Sequence, residues 1–196
     1  VHASGSTYSA GLEDALAITM DGGADGAWAQ VASYRDGKPE TLAREAGPYS
    51  FLAFLEDVCE KLEIPEGIDR FRRLEDLAKR GDPLFLDRFE SLFRVKQGRV
   101  GTPEGILRTG GPLARIPGNV LREDVACSAL RAVVDAVSRF VTDWVALSEH
   151  DDIVLGGDLF EIQPIVRAVM EAARGRSVHV PSSPGDDGLP VAAAFC

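Results

Sequence analysis

Two carboxylates, Asp21 and Asp25, stand among Gly22, Gly23 and Gly26 directly after an apolar run, in "ALAITMDGGADG" (15–26). Carboxylate oxygens hold divalent cations. Glycines let backbone N–H groups approach an anion, because no side chain intervenes. An ordinary glycine hairpin, with aspartates capping their own backbone, accounts for the same residues equally well. A second such place is "IVLGGDLFEIQPIV" (153–166), where an apolar run ends in Gly156-Gly157 and a helix begins, with Asp158 as a plausible cap. A third is "VPSSPGDDGLPVAAAF" (180–195): Pro184 and Gly185 turn the chain, and Asp186 and Asp187 open a helix, where the macrodipole favours acids. If Asp21, Gly156 and Asp186 fall at one edge of one sheet, three distant segments make a single ligand-binding rim.

The elements that must position them can be read from periodicity. "ALAITM" (15–20) is a fully apolar strand. "AWAQVASY" (27–34) alternates, with Trp28, Gln30, Ala32 and Tyr34 on one face. "ETLARE" (40–45) follows "RDGKP", in which Asp36-Gly37 signals a hairpin. Helical spacing then appears at 49–62, at 67–80 and 84–96 across the breaker "GDP", and most strongly at 120–148. The six glycines and three prolines of 97–119 predict a long loop. A strand at "DIVLGGD", a helix at 159–174, a strand at "SVHVP" and a helix from about Gly185 form a βαβα tail, hence a parallel pair. An antiparallel meander, a helical block and this tail give the order of an α/β, ribonuclease-H-like unit. Two such units facing across a cleft make the actin-like fold. The expected organisation is a half-domain at 14–196 with a helical insertion and loop at 47–119, preceded at 1–13 by the remnant of another half.

The 196 residues carry a net charge of −10, which repels phosphate backbones and anionic membranes; nucleic-acid and membrane partners are not expected. The most basic stretch, "RFRRLEDLAKR" (70–80), is interleaved with Glu75 and Asp76 and reads as a solvated helix face. Cys59, Cys127 and Cys196 have no paired spacing, which disfavours a disulfide scaffold and fits a reducing cytoplasm. No apolar run nears the roughly 20 residues of a membrane span, and no signal peptide is visible. His150, after a helix end, and His179, within a strand, read as structural. Cys127 reads as core, and Glu149, Asp151 and Asp152 as a solvated loop.

"VHASGSTYSAGLEDALAITMDGGADG" (1–26) resembles the NodU/CmcH O-carbamoyltransferase family, whose general form here is HHxxHAxSAYYPSxFEDALVLTxDGxGD. His2-Ala3 matches its HA, Leu12 to Leu16 its FEDAL and Asp21-Gly22 its DG. "GGPLARIPG" (110–118) is similar to FGPPARxPG, "REDVACSAL" (122–130) to HxDIAASxQ, "VLGGDLFEIQPIV" (154–166) to LAGGVALNxxxN, and the 180–195 segment to xPAxGDxGxALGAA. "RLEDLAKRGDP" (73–83) is a fainter copy of KVMGLAPYGDP, and the likeness is thin over 46–105.

The resemblance implies a divalent metal (iron, manganese or zinc) held by His2, Asp21 and Asp186, which would polarise a carbamoyl carbonyl. It implies ATP or carbamoyl-adenylate at Gly22, Gly23, Gly156, Gly157, Glu161 and Arg73, and transfer of the carbamoyl group to a hydroxyl of a small-molecule acceptor. Four departures bear on activity. Arg73 replaces the family's lysine, Asp158 and Glu161 replace a valine and an asparagine, and Leu130 replaces a glutamine and cannot hydrogen-bond. In that family two histidines of an HxxxH motif hold the metal; His2 matches the second, and the first would lie before Val1. The alternative is a catalytically silent actin-like domain that binds a nucleotide or serves in assembly; a third possibility is an actin-like phosphotransferase. In each case half a cleft requires a partner, either a missing N-terminal half or a second copy.

Overall fold

β1 (Ala15–Met20) is buried along its whole length and forms the centre of the sheet. In a computed structural model that describes residues 2–23, 26–47, 49–102, 113–114, 116–182 and 184–185, with His2 as backbone only, β1 sends Leu16, Ile18 and Met20 into the main core. Its Ala17 lies on the other face, in a smaller cluster with Ala3, Ala32 and Tyr34. β2 (Ala29–Arg35) pairs with β1 antiparallel, and β3 (Lys38–Glu45) pairs with β2. Asp36 and Gly37, at φ 50° and 71°, close that second hairpin with both residues left-handed, the turn that best matches strand twist. Ala32 faces Thr41 while Val31 faces Ala43, so Leu42 is an extra, bulged residue on β3.

On the other side of β1, β6 (Asp152–Gly156) runs parallel, and β7 (Ser177–His179) runs parallel to β6. The strand order β3-β2-β1-β6-β7, with only the meander antiparallel, is that of a ribonuclease-H-like unit, as the sequence order predicts. α1 (His2–Ser9) lies against β1 and β6.

The main core lies between the sheet and α2 (Phe51–Lys61), α5 (Arg122–Leu147) and α6 (Gln163–Ala172). Ser50 caps α2: its hydroxyl accepts the Ala53 N–H at 3.0 Å. Phe51 and Phe54 on α2 meet Phe93, with ring centres 4.7 and 5.6 Å apart, and Trp28 meets Phe51 at 5.0 Å. Such edge-to-face rings add to the burial of their area. α3 (Arg70–Ala78) and α4 (Leu86–Glu90) pack on α5.

Several sequence expectations need correction. Residues 84–96 are not one helix: α4 stops at Glu90, and β4 (Arg94–Lys96) turns through Gln97-Gly98 into β5 (Arg99–Gly101). Both turn residues are left-handed, at φ 52° and 67°, inside a stretch expected to be helix and then loop. The reason is tertiary. Trp144 Nε1 donates to the Gly98 carbonyl at 3.0 Å, and the Gly98 N–H donates to Asp143 Oδ2 at 2.8 Å, so α5 holds the hairpin tip. Trp28 precedes β2 and joins the main core with Ala29 and Val31, whereas Ala32 and Tyr34 face the other way. Asp152 is a strand residue, its Oδ1 2.7 Å from His179 Nε2, and not part of a solvated loop. Cys127 is only partly buried. The expected helix 159–174 is a 3₁₀ turn, Asp158–Glu161, followed by α6. The helix expected from Gly185 lies outside the described residues. Among the described residues no helix is long and apolar enough to cross a membrane.

Candidate functional site: the carboxyl edge of the parallel pair

Because β1 and β6 run parallel, with Thr19 beside Gly156, both chains leave the sheet at the same edge. Ligands collect at such an edge in α/β sheets, where backbone groups and strand-end side chains converge. Asp21 is the first residue beyond β1. Its N–H donates to the Trp28 carbonyl at 2.8 Å, closing the loop to β2, and its Oδ1 accepts the Asp158 N–H at 2.8 Å. One carboxylate thus ties the turn after β1 to the turn after β6.

Gly157, next after β6, sits at φ +99°. A Cβ there would overlap the Met20 carbonyl oxygen and stand 2.7 Å from Asp21 Oδ1. Gly157 also donates its N–H to the Pro184 carbonyl at 2.5 Å, which brings in the third segment. Beside Pro184, a Cβ on Gly185 would overlap the Asp158 carboxylate and lie 2.8 Å from Glu161 Oε1. The three turns expected to share a rim therefore touch: 21–23, 156–161 and 184–185.

The remaining expected residues divide. Gly22 and Gly23 are exposed at the rim, and the Ser50 hydroxyl donates to the Gly22 carbonyl at 3.3 Å, so the α2 cap anchors this loop. Gly156 is buried at the strand end, and Glu161 is exposed. Asp25 and Asp186 lie outside the described residues, as does the side chain of His2. Arg73 lines a separate recess on α3, together with Arg80 and Arg122 and with none of the glycine-turn residues.

The rim is acidic. Asp21, Asp158 and Glu161 gather there, and Glu56 on α2 senses Asp158: burial raises its carboxyl above the ordinary range, Arg70 opposes this, and Asp57 and Asp158 add to it. The described residues do not by themselves fit a divalent metal. One Asp21 oxygen already accepts an N–H, the Asp158 and Glu161 carboxylates lie against Gly185, and no three His, Cys, Asp or Glu among the described residues are disposed to share an ion. Two of the three expected ligands, the His2 side chain and Asp186, are among the undescribed groups.

Sequence reading did not assign Ser50 or Glu56 to the rim, and it read Asp158 as a helix cap and as a departure from the family pattern. Ser50 was findable as an N-cap before "FLAFL". Nothing local marks Glu56, which arrives through α2 packing. Asp158 is the first residue of the 3₁₀ turn, whose N-cap is Gly157. α6 is instead served from outside, where Glu75 Oε1 on α3 accepts the Gln163 N–H at 3.2 Å. Burial pushes that carboxyl up, partly offset by the same hydrogen bond.

Two histidines stand apart from the rim. His150 Nε2 lies 2.7 Å from Ser33 Oγ in a buried setting, and burial holds its pKa below the ordinary histidine value. A glycine-floored edge lined by carboxylates can accept hydrogen bonds from hydroxyl and amino groups and repels bare phosphate.

No protein-family model matches this sequence, and no curated protein does. Among solved structures, a crystal structure of a ROK family glucokinase from Streptomyces griseus in complex with glucose and AMPPNP is similar at 13% identity and a TM-score of 0.48. That match covers 100% of this chain and 66% of the glucokinase chain, so the present chain spans just under two-thirds of it.

Proposed function

We propose that this chain is a nucleotide-binding unit of the actin-like kind, with the adenosine end of the nucleotide lying against the Gly156-Gly157 turn. The observation that carries the reading is the 2.8 Å bond from the Asp158 N–H to Asp21 Oδ1, which fuses two glycine turns into one surface at the carboxyl edge of the parallel pair. Glycine at 157 lets the turn after β6 close against Met20 and Asp21, so the two turns present one continuous surface to a base or a ribose. The acidic rim supports the neutral end of a nucleotide as the occupant. Asp158 and Glu161 offer acceptors to ribose hydroxyls or to an amino group and would oppose a phosphate in the same place.

The narrower reading is transfer of a carbamoyl group from carbamoyl-adenylate to a hydroxyl of a small-molecule acceptor. It is supported by the resemblance of residues 1–26 and 180–195, and by the turn after β6, which touches both Asp21 and the Pro184-Gly185 segment. Carbamoyl-adenylate carries the same adenosine group and would use the same edge. The catalytically silent alternative draws on Arg73, Leu130, Asp158 and Glu161, which depart from that family's pattern. Both readings include a partner that completes the cleft, a second half or a second copy.

Equilibrium titration with AMP, ATP and 2′-deoxy-AMP tests the common part. Saturable binding of AMP, weakened about tenfold in Glu161→Gln with an unchanged melting temperature, is expected, since a hydrogen bond to a charged acceptor contributes about 1.5–3 kcal/mol. Absence of saturable AMP binding at millimolar concentration would sink the proposal.

A further inference from the structure

We infer that Arg73, Arg80 and Arg122 form a second binding site, for a phosphate oxyanion, distinct from the glycine edge. The three guanidinium groups come from α3 (Arg73), from the turn that follows it (Arg80) and from the first residue of α5 (Arg122), and they line one recess of about 270 Å³. Ligand pockets run from about 300 Å³ upward. The recess is therefore sized for a small anion or a single phosphorylated headgroup, not for a whole nucleotide.

Its position separates it from the rim. α2 is capped by Ser50, bonded to Gly22, and its 11 residues run toward Leu62, whose carbonyl accepts from Arg122. A helix of that length spans about 16 Å.

Arg73, Arg80 and Arg122 are all exposed, so water and salt screen their mutual repulsion, yet an anion in the recess would meet three positive charges at once. The carboxylates nearby do not fully supply that anion. Asp76 lines the recess but is held mainly by Lys79 Nζ at 2.8 Å; that lysine, with smaller contributions from Arg72 and Arg80, keeps its carboxyl below the usual range. Glu63 is exposed at the lip. Arg80 reaches Glu123 only at 4.0 Å. Arg122 donates to the neutral Leu62 carbonyl, which fixes its guanidinium without cancelling its charge. Arg73 has no hydrogen bond or ion pair from its guanidinium among the described residues. Guanidinium forks match phosphate oxygens two at a time, so this set is better suited to phosphate than to a halide. The stretch "RFRRLEDLAKR", which reads as a solvated face in the sequence, thus presents two of its arginines to a cavity completed by a residue more than forty positions away.

The anion can come free, as inorganic phosphate, or attached, as the phosphoryl group of a small ester. Titration of the full chain with inorganic phosphate and with phenyl phosphate, at ionic strength matched with chloride, separates the two by which binds more tightly. Saturable binding of at least one is expected. It should weaken at least tenfold in Arg73→Gln, tighten in Glu63→Gln, and stay unchanged in Glu161→Gln. Arg73 is the decisive position because no other described group depends on its guanidinium, so the variant should fold. Four outcomes would overturn the inference: no saturation at matched ionic strength, an equal response to chloride, wild-type affinity in Arg73→Gln, or loss of binding in Glu161→Gln. This result is independent of the nucleotide reading: AMP can fail to bind while phosphate binds, and the reverse.

Discussion

Gly37 and Gly157 both stand at positive φ, at 71° and 99°, and both follow a strand, yet they perform different work. A Cβ at Gly37 would meet nothing within 4 Å, so the residue is glycine only because its backbone is left-handed. At Gly157 the Met20 carbonyl and the Asp21 carboxylate occupy the space a Cβ needs. The first glycine serves a local turn that aspartate and glycine make in any hairpin. The second exists because another segment passes against it. That close approach of two backbones is what joins the turn after β6 to the turn after β1.

Substitutions can sharpen or dissolve that contrast. The largest effect is expected for Gly157→Val. Left-handed strain of about 1–3 kcal/mol adds to overpacking of about 1–3 kcal/mol, so a loss near 3 kcal/mol or more in urea unfolding, with loss of AMP binding, is anticipated. If that variant unfolds and binds as wild type does, the close approach is not real. Next comes Asp21→Ala, which leaves the Asp158 N–H without its acceptor at a cost of about 1–3 kcal/mol. Asp21→Asn keeps an oxygen acceptor and should lose less. Equal stability for the two would mean that the joint between the turns contributes nothing.

Gly37→Ala should cost only about 1 kcal/mol, because the left-handed backbone is its whole penalty. Gly37→Asn should cost less still, and neither should alter nucleotide binding. An effect of Gly37→Ala as large as that of Gly157→Val would erase the distinction.

The smallest effect is a pH dependence at His150, whose Nε2 lies 2.7 Å from Ser33 Oγ on β2. Burial lowers its pKa in the folded chain, with Arg35 adding to this and Asp14 opposing it. Between that lowered value and the unfolded value of about 6.5, the unfolded chain binds more protons, so stability falls as pH drops below about 6.5. His150→Gln should flatten the melting temperature across that window. An unchanged slope would assign the acid sensitivity to other groups.

The comparison also explains what could be read in advance. The central strand, the Asp36-Gly37 hairpin and the long helix α5 announce themselves because periodicity and turn chemistry are local. The Gln97-Gly98 hairpin did not, although Val95 and Val100 flank it in alternation. Its tip is held by Trp144 and Asp143 on α5, and the apolar spacing through Phe89 and Phe93 imitates a helix. The rim was legible as three glycine turns. Glu56 and Ser50 join it through the placement of α2, and Arg73 belongs to a different recess, which motif matching alone could not show.

What the chain's own order of residues determined is the sequence of elements, the sense of the meander and the parallel tail, because hydrophobic period and turn residues act over a few positions. Which carboxylate meets which amide was decided only when β1 and β6 aligned, since the Asp21–Asp158 bond joins residues 137 positions apart. Contacts at that separation depend on the register of packed strands and helices, and register is a property of the folded whole.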